Sequence, residues 1–169
     1  MIRKANIDDC SRLTEINVFA WRCAYIHFIP LDILFKQFTL KIRENKFIEI
    51  LSIENNPGKT YVFEEENIVK AYVIIGEAQD EDKDNKTFEL WAIFVDPIFQ
   101  RKGIGKQLVD FGIKEAKEMN KEEIVLWVFE RNINSIKFYK KMGFIIDGKT
   151  KKHEKLTEEG KEIRMFRKI

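Results

Sequence analysis

Phe88-Glu89-Leu90-Trp91-Ala92-Ile93-Phe94-Val95, closed by Asp96-Pro97, leads into Gln100-Arg101-Lys102-Gly103-Ile104-Gly105. The first eight residues are apolar, β-branched and aromatic, and they read as a strand. After the glycines, Leu108, Val109, Gly112, Ile113, Ala116 and Met119 recur at the three- and four-residue steps of a helix stripe. The segment is therefore strand, glycine turn, helix. A glycine turn that opens a helix exposes N–H groups with no intrahelical partner, and the helix dipole adds positive potential there. Such a terminus can hold a pyrophosphate, with Arg101, Lys102 and Lys106 adding charge. It can equally be a tight turn feeding a helix. The Walker pattern is absent, as is the third glycine of a dinucleotide fingerprint.

Outward from this segment, strands and helices alternate without a linker. Ile2 to Ala5 reads as a short strand, and Asp8 or Asp9 can cap a helix running to about Trp21. Pro30 and Asp32 open a second helical stretch through Asn45, with Ile33, Leu34, Phe38 and Ile42 on its stripe. Asn55-Asn56-Pro57-Gly58 is a turn. Tyr61 to Phe63 and Ile68 to Ile75 form an expected hairpin across residues 64–67. Residues 77–86 carry five carboxylates against two lysines, which predicts an exposed connection. Ile124 to Phe129 is wholly apolar, as befits a strand covered on both faces. Asn134 or Ser135 can cap a further helix carrying Ile136, Phe138, Tyr139 and Met142, which Gly143 ends. Phe144 to Ile146 and Ile163 to Phe166 complete the strands. The pattern predicts one α/β domain over residues 1–169, a mixed central sheet of about six or seven strands with helices on both faces.

Composition narrows the function classes. A chain of 169 residues, 44% apolar, can bury a full core, roughly 70% of its unfolded surface. Thirty basic and 28 acidic side chains leave a net charge of +2, which gives no support for nucleic acid or a membrane as principal partner. Cys10 and Cys23 lack metal-ligand spacing and read as structural thiols, so no metal is expected. The N-terminus has no apolar signal core, and no stretch approaches eighteen apolar residues, so the expected location is cytoplasmic.

Two blocks carry a resemblance. Gln-x-x-Gly-x-Gly after a strand ending Val-Asp-Pro resembles the acetyl-CoA signature of the GCN5-related N-acetyltransferase (GNAT) superfamily. The block from Asn132 to Phe144, with Asn132, Ser135, Tyr139 and Gly143-Phe144, resembles that superfamily's later Asn-x-x-Ala…Tyr…Gly-Phe block. Ser135 stands where the family usually has alanine, a small-for-small change. The blocks occur in the family's order, and the resemblance covers most of the chain. It implies acetyl-CoA as cosubstrate, lying where the 88–95 and 124–129 strands splay apart. The pantetheine arm would pair with backbone of Ile93, Phe94 and Val95 like an added strand. The pyrophosphate would rest on the turn of Gln100, Arg101, Lys102, Gly103, Ile104, Gly105 and Lys106, and Asn132 and Asn134 match positions that often touch the cofactor.

Attack of a neutral amine on a thioester sets three tasks: removing a proton, stabilising an oxyanion and protonating the departing sulfur. The resemblance gives the oxyanion to backbone N–H near Phe94 and the sulfur to Tyr139, whose phenol can donate. By periodicity alone Tyr139 is also an inner-face aromatic beside Phe138. Glu89, eleven residues before Gln100, is the candidate base, since some protein-lysine branches carry a glutamate at that spacing. Simple alternation puts it on the face of Trp91, Ile93 and Val95; it can also be the wet start of the strand, with a water relay as base. Glu130, Glu77 and His27 are further candidates, and His153 sits among lysines that read as a solvated loop. On the acceptor side, Trp21 and Tyr25 stand at i and i+4, as an aromatic wall for an amine or as packing against the sheet. The Trp…Ala-Tyr…Ile-Pro run resembles small-molecule and polyamine branches, so a small amine or polyamine is the expected acceptor. A protein N-terminus or lysine is the second expectation, and a non-catalytic acyl-CoA sensor is the reading from another class. Homodimerisation through C-terminal strands is common in the superfamily.

Overall fold

Arg3 grips Asp9 with two hydrogen bonds of 2.8 and 2.9 Å, fixing the first strand to the first helix. The structure, a computed structural model, describes residues 1–152, 156 and 160–169. Strand β1 (Ile2–Lys4) is followed by Asn6, whose side chain accepts from the Asp8 amide while Asp9 accepts from the Asn6 amide. This reciprocal box turns the chain through one 3-10 turn into α1 (Cys10–Tyr25). The helix buries Leu13, Ile16, Asn17, Ala20, Trp21 and Tyr25, a stripe of the expected period. It runs one turn beyond the expected end at Trp21, because Tyr25 packs in the same cluster as Trp21.

The single helix expected from Pro30 through Asn45 is instead two pieces. A five-residue π-turn (Ile33–Gln37) stops at Phe38, and α2 (Leu40–Ser52) starts afresh after Thr39. Phe38 is buried at 1% exposure and stacks on Trp21, which takes the backbone out of helical geometry. Thr39 then adopts extended backbone and caps α2 by accepting from the Ile42 amide. Ile42, assigned to the inner stripe, is consequently exposed.

β2 (Gly58–Glu65), β3 (Ile68–Glu77) and β4 (Thr87–Val95) form an antiparallel meander, and α3 (Ile104–Glu118) crosses to β5 (Glu123–Phe129), parallel to β4. After α4 (Ile133–Lys141), β6 (Ile145–Lys152) and β7 (Lys161–Lys168) complete the order β1-β2-β3-β4-β5-β7-β6. The last two strands are longer than expected. Lys149, Lys151 and Lys152 hide the apolar signal of β6, an edge strand where charge is the ordinary protection against pairing with other chains.

Helices cover both faces of the sheet. On one, Leu108, Val109, Ile113 and Ala116 of α3 and Ile136 of α4 pack on Val73, Ile75, Leu90 and Leu126. On the other, Leu13 and Ile16 of α1 and Phe47 of α2 pack on Val62 and Tyr72. A smaller aromatic cluster of Trp21, Tyr25, Phe38 and Phe129 continues that layer.

The acidic 77–86 connection is tied down rather than loose. Arg164, 3% exposed on β7, donates to Asp80, twice to Asp82, and to Asp147. Its hydrogen bonds hold the Asp82 carboxyl well below the ordinary carboxylate range. Lys83 pairs with Glu123, Lys121 with Glu77, and Trp127 Nε1 donates to Asp80. No described helix is long and apolar enough to cross a membrane.

Candidate active site

β4 and β5 are hydrogen-bonded neighbours only from Thr87↔Glu123 to Leu90↔Leu126. Beyond Leu90 they part, while β4 stays paired to β3 as far as Val95 and β5 stays paired to β7 as far as Phe129. The sheet is thus split at its centre, and among the described residues no strand lies beside the β4 edge from residue 91 to 95 on the β5 side. Parallel strands normally continue in step. Here β4 holds an extra residue: Ile74 pairs with Ala92 and Ile75 with Leu90, so Trp91 is bulged out. Gly58 and Gly76 lie under its ring, and its indole N–H donates to the Glu77 carbonyl at 3.2 Å.

The bulge changes what alternation alone predicts for Glu89. Leu90 before it and Ile93 and Val95 after it all lie on the α3 face. Ala92 and Phe94 lie on the opposite face. Glu89 precedes Leu90 on a strand and so points away from α3, to the side opposite Ile93 and Val95. It is 8% exposed and accepts from the Gln79 amide at 3.2 Å. Burial pushes its carboxyl above the ordinary range, against the pull of that N–H and of Lys151.

The split opens a cavity of about 320 Å³ on the α1–α2 side. Its walls come from seven elements: Trp21 and Tyr25 of α1, Arg43 of α2, Tyr72 and Ile74 of β3, residues 90–94 of β4, residues 127–129 of β5, Tyr139 of α4 and Glu162 of β7. Ile93, Phe94, Asn132 and Tyr139 therefore meet Trp21 and Tyr25 around one space, although they lie up to 118 residues apart in the chain. Trp21 stacks on Phe38 at 4.0 Å and meets Tyr25 edge-on at 4.8 Å, so the two are core residues as well as cavity wall.

Tyr139 lies among Phe138 and Phe144 on the inner side of α4. Burial pushes its hydroxyl up to about 12, so the phenol keeps its proton at neutral pH. Burial also pushes Tyr25 upward, where its hydroxyl is flanked by Tyr139 and Asn132. Asn132, not Asn134 or Ser135, is the cap of α4: its side-chain Oδ1 accepts from the Ser135 amide at 3.2 Å. Asn134 is exposed on the first turn.

The glycine turn adjoins the open end of β4. Asp96 anchors it, accepting from the Ile98 amide and from Arg12 of α1, which also bonds the Val69 carbonyl. Gln100 folds back so that its amide donates to the Val95 carbonyl at 3.1 Å. Arg101 (φ 65°) and Gly103 (φ 80°) then take left-handed backbone to enter α3. The first helical bond runs from Gln107 N–H to Gly103, leaving the amides of residues 103–106 without intrahelical acceptors. Arg101, Lys102 and Lys106 are exposed around them, Lys106 pairing with Asp110. Gly105 sits against Phe138 and Val95, linking this terminus to α4 and to β4.

Other candidates lie elsewhere. Glu130 pairs with Lys161, Glu77 with Lys121, and His27 is exposed; His153 falls outside the described residues. Among the described residues, no group of three or more His, Cys, Asp and Glu is placed to hold a metal ion. The sequence reading passed over Glu162, Arg43, Asn17 and Tyr72, which all border the cavity. Glu162 and Arg164 stand two residues apart on β7, so alternation aims both charges at one face. Arg43 gave no such signal, because its helix phase is set by the break at Phe38.

The chain is 34% identical over 80 residues to the spermine/spermidine N(1)-acetyltransferase of Bacillus subtilis, covering 46% of this chain and 53% of that one. To an uncharacterised N-acetyltransferase of Methanocaldococcus jannaschii it is 43% identical over 56 residues, 33% of this chain and 25% of that one. It thus spans between a quarter and about half the length of these relatives. Its fold matches the crystal structure of the PaiA N-acetyltransferase from Thermoplasma acidophilum in complex with coenzyme A, with a TM-score of 0.79 at 20% identity, covering 100% of this chain and 98% of that one. The split sheet and the glycine turn both fall within residues 15–144, which match the model of the acetyltransferase (GNAT) family, and the chain belongs to that family.

Proposed function

We propose that residues 1–169 act as one domain that transfers the acetyl group of acetyl-CoA to a primary amine of a small molecule, by direct attack in a ternary complex. The observation that carries this reading is the parting of β4 from β5 after Leu90, beside a helix terminus with free amides and the half-buried Tyr139 phenol. The relative that acts on spermine and spermidine, and the structural neighbour bound to coenzyme A, support it.

The site fits the cosubstrate on its own terms. The unpaired β4 edge at Ile93 to Val95 offers backbone groups to an extended, amide-bearing arm. The amides of residues 103–106, with Arg101 and Lys102, offer a seat for a pyrophosphate. Gln100 occupies the Val95 carbonyl, so Gln100 shapes the end of that edge. The cosubstrate supplies a thioester carbonyl as acyl donor. Beside Phe94, the backbone N–H of Ile93 alternates away from β3 and serves the place where the carbonyl oxygen gains charge. Glu89, or a water relay leading to it, takes a proton from the ammonium, and the neutral amine nitrogen then bonds to the carbonyl carbon. Tyr139 donates its hydroxyl proton to the sulfur as the carbon–sulfur bond breaks.

Thiol release from acetyl-CoA, measured against polyamines, aminoglycosides, amino acids and lysine peptides, tests the reading. Turnover with a small amine supports it. Turnover with peptides alone would move the acceptor to protein, and tight cofactor binding without any turnover would replace the enzyme by a sensor.

A further inference from the structure

Arg43 is the least compensated charge near the cavity. Its guanidinium lies 4.1 Å over the Phe38 ring and 5.6 Å from that of Trp21. Its Nε is buried without a hydrogen-bond partner, and no carboxylate among the described residues pairs with it. A guanidinium keeps its charge at any ordinary pH, so burying it unpaired is unfavourable unless something binds there. Burial alone draws its pKa downward. Lys46, one turn further along α2, borders the same cavity and is exposed. Behind Arg43, the Asn17 amide donates to the Tyr72 hydroxyl at 2.7 Å, while its own oxygen is buried without a partner. This end of the cavity is therefore cationic and holds unused polar groups.

The opposite wall is acidic. Glu162 borders the cavity, and Glu89 is close enough to raise the pKa of Glu162, with Lys151 as their shared cation. A carboxylate on this wall suits a bound ammonium. The cavity thus has a positive pole at Arg43 on α2 and a negative pole at Glu162 on β7.

We propose that the cleft takes a zwitterionic acceptor: an amino acid whose carboxylate is held by Arg43 while its amine faces the Glu162 side. The proposal rests on the acetyltransferase reading and names its substrate class. A polyamine fits the negative pole only, because its remaining ammonium groups would meet Arg43 and Lys46. A carboxylate removes that conflict and pairs with a planar fork of donors suited to it.

The test compares acetylation of L-phenylalanine with phenethylamine and of L-lysine with cadaverine, with spermidine as the polycation. The expected result is a kcat/KM at least tenfold higher for each amino acid than for its decarboxylated amine. Arg43→Gln should collapse that ratio towards one, mainly through KM, and Arg43→Lys should keep part of it. A melting curve for each variant separates misfolding from lost recognition. Equal or better turnover of the decarboxylated amines or spermidine by the wild type overturns the proposal, as does a ratio that survives Arg43→Gln. Calorimetric binding of the same amino acids in the presence of coenzyme A gives a readout independent of turnover. Arg43-dependent binding with no thiol release would sustain the recognition and sink the acetyltransferase reading. No binding of any amino acid to the wild type overturns the recognition itself.

Discussion

The Trp91 ring fills the space that a side chain at Gly58 would need: a Cβ there would stand 2.4 Å from the ring. The glycine is thus the floor on which the bulged residue of β4 rests, and the bulge sets which side chains of β4 face the cleft. Gly58→Ala should push the indole off its seat, at about 1–3 kcal/mol for an overpacked site. Melting should fall by a few degrees, and tryptophan fluorescence should shift as the ring moves. An alanine variant with unchanged melting and emission would show that the bulge does not depend on this contact.

Tyr139→Phe removes one oxygen and leaves a ring that packs on Phe138 and Phe144. Melting should stay close to wild type. If the hydroxyl protonates the departing sulfur, kcat at saturating substrates should drop by about 10²–10⁴-fold, the range for a lost general acid. Acetyl-CoA affinity should change little by comparison. Unchanged turnover would reduce Tyr139 to a packing residue.

Local chemistry explains what could be read in the chain before its structure. The turn at residues 100–105 and the strands around it are legible because glycine, an apolar run and a helix stripe each report a nearby constraint. The break after Phe38 is not, since it arises from the stacking of Phe38 on Trp21, 17 residues away. The orientation of Glu89 was hidden for a related reason. Alternation holds until an extra residue intervenes, and the two glycines that make room for Trp91 lie on neighbouring strands. The tethering of the acidic connection depends on Arg164, 82 residues beyond Asp82. Cavity residues such as Tyr139 are legible only as a motif, because periodicity gives the same inner-face position to packing and to chemistry.

Gly103 holds left-handed backbone with no atom within 4 Å of where its Cβ would be. Gly103→Ala therefore meets no clash, and its effect on stability should be conformational, about 1–2 kcal/mol. The same methyl would stand beside the free amides at the start of α3. Coenzyme A affinity should fall by more than the stability change accounts for, measured by calorimetry well below the melting temperature. An affinity equal to wild type would remove this terminus from the cofactor site.

Glu89 and Glu162 give the protein a characteristic pH response. Burial is the first cause of the upward shift in both, and the Glu89 carboxylate adds to the shift of Glu162. A carboxyl with a raised folded pKa binds its proton more tightly in the folded chain than in the unfolded one, where the value is about 4.3. The resulting stabilisation is fully present below that unfolded value and is lost as pH rises through the raised folded one. Glutamine keeps the size of the neutral acid and has no proton to lose. From about pH 4 to pH 8, wild type should therefore lose stability relative to Glu89→Gln, and relative to Glu162→Gln. Replacing Glu89 should also lower the Glu162 carboxyl's pKa, since one like charge has gone. Melting temperatures across that range, for wild type and both variants, check the sign. Parallel curves would mean that neither carboxyl is desolvated as the geometry requires, and the case for a tuned base beside the cleft would go with it.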